Sequence, residues 1–196
     1  MDELRKQLLG FIEKNALRRG HFKLASGGTS SYYIDGKMIL CDPVGLELVA
    51  RAMAAVFRPF QIEAVGGLEI GSIYVATAVS LQTLSWDRPV PQFTVRKKVK
   101  EHGAQKLIEG RYPAAGGRVG IVDDVITTGG SMFQAIEAIE EVGCKVVAVT
   151  SIVDREGGAA ERLKARGVSY LPLLTISDLG LSNAPSNPES ASATAH

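Results

Sequence analysis

The residues of this sequence best suited to chemistry lie together in one segment, Ile121–Ser131. An apolar run ends there at two acidic residues, Asp123 and Asp124, and a loop of small and hydroxyl residues follows before a helix begins. In an open parallel sheet, ligands bind at the carboxyl ends of the strands, and loop amides together with a helix N-terminus favour an anion. Three hydroxyls and two glycines in the loop strengthen this prediction, since hydroxyls donate to a phosphate and glycine lets the backbone approach it. They are Thr127, Thr128, Ser131, Gly129 and Gly130.

The two carboxylates restrict the class of ligand that this segment can bind, because they would repel a bare phosphate. Ribose hydroxyls can donate hydrogen bonds to Asp123 and Asp124, and a magnesium ion on the same ligand would also attract them. We therefore expect a sugar phosphate. No GxxxxGK(S/T) motif occurs, which argues against a P-loop nucleotidase, and no GxGxxG opens a helix after the first strand, which argues against a dinucleotide fold. The alternative is structural, with Asp124 as a turn or cap residue and the glycines as ordinary turn residues.

A second candidate segment, residues 96–106, is basic. It holds five Lys or Arg residues with one His and one Glu, and repulsion among the cations keeps such a segment open until an anion arrives. It belongs to a long polar stretch, Lys97–Gly117, of a kind that often forms a lid. A dense anion would satisfy the demand of these cations for negative charge, and cations placed where negative charge develops in a reaction lower its barrier. A solvated surface loop and a nucleic-acid contact are the alternatives, although the segment lacks interleaved aromatic residues.

The composition is typical of one globular domain in water. The chain has 196 residues, of which 45% are hydrophobic and 22% charged, with a formal net charge of +1. This balance points away from nucleic acid and membranes as partners, and no apolar run approaches the ~20 residues of a membrane span. Without an apolar leader, and with the distant cysteines Cys41 and Cys144 read as reduced thiols, the sequence favours a cytoplasmic protein. Residues 1–181 are predicted to form a single domain and residues 182–196 a disordered tail.

Strand and helix patterns alternate along the chain, which predicts an α/β fold with a mostly parallel central sheet flanked by helices. The expected helices are residues 2–15, a helix opened by Pro43 and ended by Pro59, Gly71–Leu81, Ser131–Val142 and Gly158–Arg166. The expected strands are His21–Ala25, Tyr32–Asp35, Glu63–Gly67, Gln92–Val95, Arg118–Val122, Lys145–Val153 and Val168–Leu174. The core face of the helix opened by Pro43 is predicted to hold Val44, Leu48, Val49, Ala52, Met53 and Val56.

The segment Ile121–Ser131 closely resembles the phosphoribosyl-pyrophosphate signature of type I phosphoribosyltransferases, an apolar strand followed by Asp-Asp and then Thr-Thr-Gly. Other stretches narrow the resemblance to the orotate phosphoribosyltransferases. They are Phe22–Gly27 with Ser31–Asp35, similar to the N-terminal base-binding region; Val95–Gly103, similar to the mobile catalytic loop; and Val153–Gly158, similar to the strand end that contributes an arginine to orotate. The resemblance extends from about residue 4 to about residue 180, and the Arg-Lys-x-x-Lys-x-His-Gly spacing is its most specific part.

The resemblance implies a fold, a reaction and an assembly. The fold would be that of type I phosphoribosyltransferases, with a small N-terminal base-binding hood at about residues 1–40. The reaction would transfer the ribose 5-phosphate of phosphoribosyl pyrophosphate to orotate, giving orotidine 5′-monophosphate and pyrophosphate in UMP synthesis. Magnesium (Mg2+) would be held through the donor near Asp123 and Asp124, with no direct protein ligand set. The protein would be a homodimer in which loop residues 96–103 act across subunits.

Carried over residue by residue, the resemblance assigns three groups of site residues. Contacts to phosphoribosyl pyrophosphate are implied for Arg96, Lys97, Lys100, His102, Asp123, Asp124, Val125, Ile126, Thr127, Thr128, Gly129, Gly130 and Ser131. Catalytic roles are implied for Lys100, His102 and Asp124, and contacts to orotate for Thr127 and Arg155. An ion pair with a nearby acid is the alternative for Arg155. Tyr33 could stack near the base or pack in the core.

Two positions depart from the family pattern. Ala25 and Ile70 stand where members of the family carry a ligand-binding lysine, and the neighbouring Glu69 cannot replace a cation next to pyrophosphate. Two other functions stay open: a purine or other-base phosphoribosyltransferase, and a non-catalytic regulator that senses phosphoribosyl pyrophosphate. The complete basic loop and the lack of an added basic domain favour the enzyme.

Overall fold

The computed structural model describes residues 1–23, 29–98 and 107–182. The helices are α1 (Asp2–Asn15), α2 (Gly36–Leu40), α3 (Pro43–Phe57), α4 (Gly71–Gln82), α5 (Gly130–Glu141) and α6 (Ala159–Ala165). The strands are β1 (Leu17–Lys23), β2 (Thr29–Ile34), β3 (Ala64–Leu68), β4 (Gln92–Val95), β5 (Ile108–Gly110), β6 (Arg118–Ile126), β7 (Lys145–Asp154), β8 (Ser169–Tyr170) and β9 (Leu174–Thr175). Single 3-10 turns, Arg58–Phe60 and Thr83–Ser85, follow α3 and α4.

The central sheet has the strand order β5-β4-β3-β6-β7-β8, and β9 also pairs with β7. β5 runs antiparallel to β4, and the other pairs are parallel. Helices α1 to α4 pack on one face and α5 with α6 on the other. Each face of the sheet has its own hydrophobic core. Neighbouring residues of a strand, such as Ile121 and Val122, pack into different cores, because successive side chains point to opposite faces. The predicted α/β fold, a mostly parallel sheet flanked by helices, is confirmed.

The N-terminal hairpin forms a separate two-stranded antiparallel sheet of β1 and β2. Along β2 the side chains of Ser30, Tyr32 and Ile34 are buried and the alternate ones are exposed, so one face of the hairpin covers the core. This sheet lies in the part of the chain expected to form a hood. β1 starts at Leu17, four residues before the predicted start at His21. Residues 18–21 are exposed and show no apolar alternation, so the sequence does not mark them as a strand, and they are extended because they belong to the strand that pairs with β2. Residues 24 and 25 of the predicted strand lie outside the described residues.

β6 is longer than the sequence predicts. The expectation that the strand stops at Asp123 and Asp124 is wrong, because the pairing with β7 continues to Ile126 opposite Asp154. β7 extends equally far, so the backbone groups of the last β6 residues find partners in a parallel ladder. The two acidic residues therefore lie inside a strand, where adjacent side chains point to opposite faces of the sheet.

The sequence analysis also missed two short elements. Helix α2 has five residues, too few for a readable apolar period, and it begins where the Asp35 carboxylate accepts a hydrogen bond from the Lys37 amide at 3.1 Å. Strand β5 lies within the stretch predicted to be a lid, and it forms only because it pairs antiparallel with β4. The pairing joins the strand that precedes this stretch to a strand in its middle.

Two further expectations are wrong in detail. The last predicted strand divides into β8 and β9, because Pro172 lies between them and has no amide for the ladder. Val44 is predicted to face the core but is 57% exposed. At this end of α3 the helix packs closely through Gly45, where a Cβ atom would lie 2.7 Å from the Phe11 ring. The predicted tail, residues 182–196, lies outside the described residues except for residue 182.

We predict that the cap of α3 contributes measurably to stability. The Asp42 carboxylate accepts hydrogen bonds from the Val44 amide at 2.8 Å and the Gly45 amide at 3.1 Å. Asp42→Ala should lower the free energy of unfolding by about 1 kcal/mol, as for other helix caps, when measured by urea denaturation. Asp87→Ala, an exposed loop aspartate, is the control. Equal effects of the two substitutions would contradict the prediction.

Candidate active site at the carboxyl ends of the parallel strands

Four parallel strands, β3, β4, β6 and β7, bring their carboxyl ends to one edge of the sheet. The residues directly after them are Glu69, Arg96, Thr127 and Arg155. Leu68 pairs with Val95, and Ile126 pairs with Asp154, so the strand ends meet in register. The sheet therefore brings together the three segments that sequence analysis proposed separately: the acidic strand with its loop, the start of the basic segment, and the arginine after β7.

The loop after β6 lines a cleft of about 260 Å³ together with Asp123. The other lining residues are Val125, Ile126, Thr127, Thr128, Gly129, Gly130 and Ser131. Gly129 has a backbone φ of 81°, a left-handed conformation that favours glycine, and α5 begins at the next residue. The N-terminal amides of α5 thus lie beside the cleft, where an anion is stabilised. Of the residues predicted to bind the donor's phosphate, those of the loop all line this cleft.

Asp124 does not line this cleft. A Cβ atom on Gly36 or on Gly71 would lie 2.9 Å from its carboxylate, so the side chain occupies space that only two glycines leave open. Gly71 is the first residue of α4, whose N-terminus favours a negative charge. The Asp124 carboxylate also accepts a hydrogen bond from the Val125 amide at 2.8 Å. The two adjacent acids thus serve different surroundings, one facing the loop and one facing the starts of α2 and α4.

Asp123 is the more strongly perturbed of the two acids. Its pKa is raised from 3.8 to about 7, chiefly by burial and also by the charge of Asp124, although the hydrogen bond from the Asp124 amide and the charge of Lys97 act to lower it. An acid with this pKa is partly protonated near neutrality. It can accept hydrogen bonds from a diol or respond to a nearby cation, and perturbation of this kind is common at functional sites.

The start of the basic segment is attached to the sheet at three points. The Arg96 amide donates to the Leu107 carbonyl at 2.9 Å, and its guanidinium forms an ion pair with Glu109 at 3.3 Å. The Lys97 amide donates to the Glu69 carboxylate at 3.0 Å. Glu69, which stands beside the position of a missing family lysine, therefore holds the backbone of the basic segment. Lys100 and His102 lie outside the described residues, as does Ala25.

Arg155 lies next to the loop after β6. Its amide donates to the Ile126 carbonyl at 2.7 Å, and a Cβ atom on Gly157 would lie 2.7 Å from the Thr127 carbonyl oxygen. The absence of a side chain at Gly157 thus lets the turn after β7 pack against Thr127. The two residues predicted to contact orotate, Thr127 and Arg155, are brought side by side.

Comparisons with known proteins show the family to which this fold and sequence belong. A profile described as a phosphoribosyl transferase domain matches residues 35–169, more than half of the chain. Over 170 residues, the chain is 43% identical to an orotate phosphoribosyltransferase of Pyrococcus abyssi, which spans 86% of this chain and 90% of that protein. This chain belongs to the orotate phosphoribosyltransferases.

Solved structures of the family have the same fold. An orotate phosphoribosyltransferase of Mycobacterium tuberculosis superposes with a TM-score of 0.79 at 37% identity, covering 91% of this chain and 99% of that one. The same enzyme in complex with phosphoribosyl pyrophosphate superposes with a TM-score of 0.75 at 35% identity over the same shares of the two chains. The resemblance read from the sequence is thereby confirmed for both the family and the fold.

Sequence analysis missed one residue that supports the loop of this orotate phosphoribosyltransferase. Arg162 of α6 donates from Nη1 to the Thr128 carbonyl oxygen at 2.7 Å, and its guanidinium lies 3.9 Å from the centroid of the Phe133 ring. The contact turns the Thr128 carbonyl toward a cation and ties the loop to α6. No motif marks this arginine, because the contact joins residues 34 apart in sequence.

A groove at the opposite end of the strands is not the site. It measures about 680 Å³ and lies along β5 and the loops near the amino ends of β3 and β4, with Glu63, Arg88, Pro91 and Tyr112 among its lining residues. Ligands of parallel sheets bind at the carboxyl ends instead. Within the described ranges, no group of three or more His, Cys, Asp or Glu residues could hold a metal ion, and no helix is long and apolar enough to cross a membrane.

The raised pKa of Asp123 predicts a pH-dependent stability difference. Because folding raises this pKa from 3.8 to about 7, the folded enzyme binds the proton more tightly, and the cost of ionising Asp123 grows as pH rises from about 4 to above 7. Asp123→Asn removes that cost. Relative to the unsubstituted enzyme, the melting temperature of the variant should therefore be higher at pH 8 than at pH 5.

Scanning calorimetry without ligands measures this difference. Asp87→Asn, at an exposed position, should give a difference that does not change with pH. A difference for Asp123→Asn that is flat across the same range, or that has the opposite slope, would contradict the raised pKa.

Proposed function

We propose that this chain transfers the ribose 5-phosphate of phosphoribosyl pyrophosphate to orotate, releasing orotidine 5′-monophosphate and pyrophosphate, above the ends of β6 and β7. The observation that carries the proposal is the adjacency of the phosphate loop and the arginine turn, which meet where Gly157 packs on Thr127. A nucleotide carries its phosphate and its base on the two sides of one ribose. Two neighbouring sites, one for a phosphate and one for an anionic base, fit such a product.

The donor is proposed to lie along β6. Backbone amides and hydroxyls of Thr127 to Ser131 would hold the 5′-phosphate, with Val125 and Ile126 as the wall of the cleft. Asp123 would accept a hydrogen bond from a ribose hydroxyl. Asp124, on the opposite face of the strand, would place its negative charge near the ribose from the side of α4. As the bond from C1′ to pyrophosphate breaks, the ribose gains positive charge, which both carboxylates stabilise.

The leaving group is proposed to be held by cations of the basic segment. Arg96 and Lys97 stand at the edge of the sheet beside the cleft, close enough for the charge of Lys97 to lower the pKa of Asp123. Lys100 and His102 are assigned by resemblance alone. Positive charge beside the bridging oxygen stabilises the departing pyrophosphate, and a closed segment keeps out water that would hydrolyse the donor.

Orotate is proposed to bind beside this cleft through Arg155 and Thr127. A guanidinium can donate two parallel hydrogen bonds to a carboxylate, which distinguishes orotate from an uncharged base. The turn from Arg155 to Gly157 packs against Thr127, so the base would lie next to the ribose. A purine phosphoribosyltransferase is the less favoured alternative, because an uncharged base has no carboxylate to accept these two hydrogen bonds.

Magnesium is proposed to enter with the donor. The fit rests on Asp123, whose pKa is raised by burial and by the charge of Asp124, since a cation nearby would favour its ionised form. When bound, magnesium neutralises charge on the pyrophosphate. Asp123 and Asp124 are the carboxylates that would lie beside the cation. The cation itself would be held chiefly by oxygen atoms of the donor, as magnesium on phosphates usually is.

A homodimer is proposed from an apolar stripe along α4 and the residues that flank its two ends. The exposed members repeat at helical spacing, and they are Ile70 (61% exposed), Tyr74 (43%), Leu81 (62%) and Leu84 (67%). An exposed apolar strip of this kind often marks a protein interface, and a second copy related by a two-fold axis would cover both strips. The stripe begins next to Glu69, which binds the Lys97 amide. A partner seated there would lie near the start of the loop, in support of loop residues 96–103 acting across subunits.

A cytoplasmic location is proposed as well. Both cysteines are free thiols, Cys41 exposed and Cys144 buried. An exposed thiol without a disulfide partner suits a reducing compartment, which is also where soluble intermediates of nucleotide synthesis are used.

The reaction can be tested by following orotate consumption spectrophotometrically with the donor and magnesium. We expect turnover with orotate and none with adenine or hypoxanthine. Lys100→Ala should lower kcat by about 100-fold, because one cation at a developing charge is lost, whereas Lys98→Ala in the same segment should change it less than about twofold. Turnover with a purine but not with orotate would overturn the proposed base. Donor binding without any turnover would favour the regulator, and an unchanged Lys100→Ala would remove the catalytic role of the loop.

Subunit exchange tests the action of the loop across subunits. When Lys100→Ala and Asp124→Asn are mixed after denaturation and refolding, half of the dimers are hybrids. One of the two sites of a hybrid then combines an intact Asp124 with an intact Lys100 from its partner, so activity should return to about one quarter of the original. Activity that stays at the level of the separate variants would show that each loop serves its own subunit.

The proposed dimer can be tested by substituting a residue of the apolar stripe. Leu81→Glu should shift the mass measured by light scattering from dimer to monomer, because it places a charge in an apolar interface. Val44→Glu, at a residue of similar exposure on α3, is the matched control and should stay dimeric. If both variants keep the mass of the unsubstituted protein, the proposed interface is wrong.

A further inference from the structure

One hydrogen bond joins the N-terminal hairpin to the turn after β7. The Nε atom of Arg155 donates to the hydroxyl of Tyr32 at 3.2 Å, and the guanidinium carbon lies 5.0 Å from the centroid of the same ring. Tyr32 belongs to β2 and is only 2% exposed, although its neighbour Tyr33 is 46% exposed. The buried tyrosine therefore contacts, through both its ring and its hydroxyl, the arginine proposed to recognise the base.

Both partners of this contact are held by their own backbone. The Ser30 hydroxyl donates to the Tyr32 carbonyl at 2.8 Å and accepts from the Tyr32 amide at 3.3 Å. On the other side, the Asp154 carboxylate accepts from the Glu156 amide at 2.8 Å, which shapes the turn that carries Arg155. The position of the tyrosine hydroxyl relative to the arginine is thus set by the fold of both segments.

We infer that Tyr32 is a positioning residue for the base: its hydroxyl and ring hold the Arg155 guanidinium in the orientation that receives the carboxylate of orotate. The inference rests on the proposed role of Arg155. A contact at Nε directs a ligand to the edge formed by the two terminal nitrogens, and the ring fixes the plane of that edge. Two parallel hydrogen bonds to a carboxylate require both the edge and the plane to be correct.

The inference explains why a residue of the hairpin affects recognition by the central sheet. An arginine side chain has many rotamers, and a ligand that must select one of them binds more weakly. A tyrosine that selects the rotamer beforehand favours orotate binding. It has no corresponding effect on the donor, which is proposed to contact the loop after β6 and the basic segment.

Tyr32→Phe is the decisive variant, because it keeps the buried ring and removes only the hydroxyl. We expect KM for orotate to rise about threefold to tenfold, as for the loss of one hydrogen bond of ordinary net strength. KM for phosphoribosyl pyrophosphate and the melting temperature should stay nearly unchanged. Tyr112→Phe, at an exposed tyrosine that follows β5 and lies away from the proposed site, is the control and should alter neither KM value.

A second pair of variants separates this inference from the proposed function. Arg155→Gln should raise KM for orotate more strongly than Tyr32→Phe, and the double variant should be no worse than Arg155→Gln, since the hydroxyl acts only through the arginine. If Arg155→Gln leaves KM for orotate unchanged, the proposed role of Arg155 fails. If Arg155→Gln raises it and Tyr32→Phe does not, the inference alone fails. Equal increases of both KM values with a lower melting temperature would show a merely structural role and would also overturn it.

Discussion

The pairing of β6 with β7 to their last residues is the constraint on which the site depends. The ladder continues to Ile126 opposite Asp154, beyond the point where β3 ends beside β6. Both strands therefore extend past β3, with β9 continuing beside β7 as far as Asp154, and the loop after β6 and the turn after β7 begin at the same height. Had β6 stopped at its acidic residues, the phosphate loop would begin lower, and Thr127 would not meet the turn that carries Arg155.

The charged residues of the site lie around the ends of β6 and β7. Asp123 and Asp124 are neighbours in sequence, but the strand directs them to opposite faces, which limits their mutual repulsion. Glycines make room for Asp124 at the starts of α2 and α4, while Asp123 faces the loop and the cation of Lys97. The enzyme thus holds acidic and basic side chains close together at one edge of the sheet, where a donor that carries both phosphates and hydroxyls would meet each kind.

Sequence patterns predicted the fold and the phosphate loop because each depends on local chemistry. Glycine, hydroxyl and acidic residues within Ile121–Ser131 mark a strand, a loop and a helix start in a single stretch. The patterns could not show contacts between distant segments: Gly71 beside Asp124, Glu69 on the Lys97 amide, Arg162 on Thr128. The end of β6 was mistaken for the same reason, because an aspartate pair is a common strand ending, and only the length of its neighbour β7 determines that pairing continues.

The glycine at position 157 restricts which residues the turn after β7 can carry. A Cβ atom there would lie 2.7 Å from the Thr127 carbonyl oxygen, so the loop or the turn would have to shift to admit any other residue. The spacing between the two segments therefore depends on the absence of a single side chain. Under the proposed function, that spacing sets the distance between the phosphate loop and the base contact at Arg155.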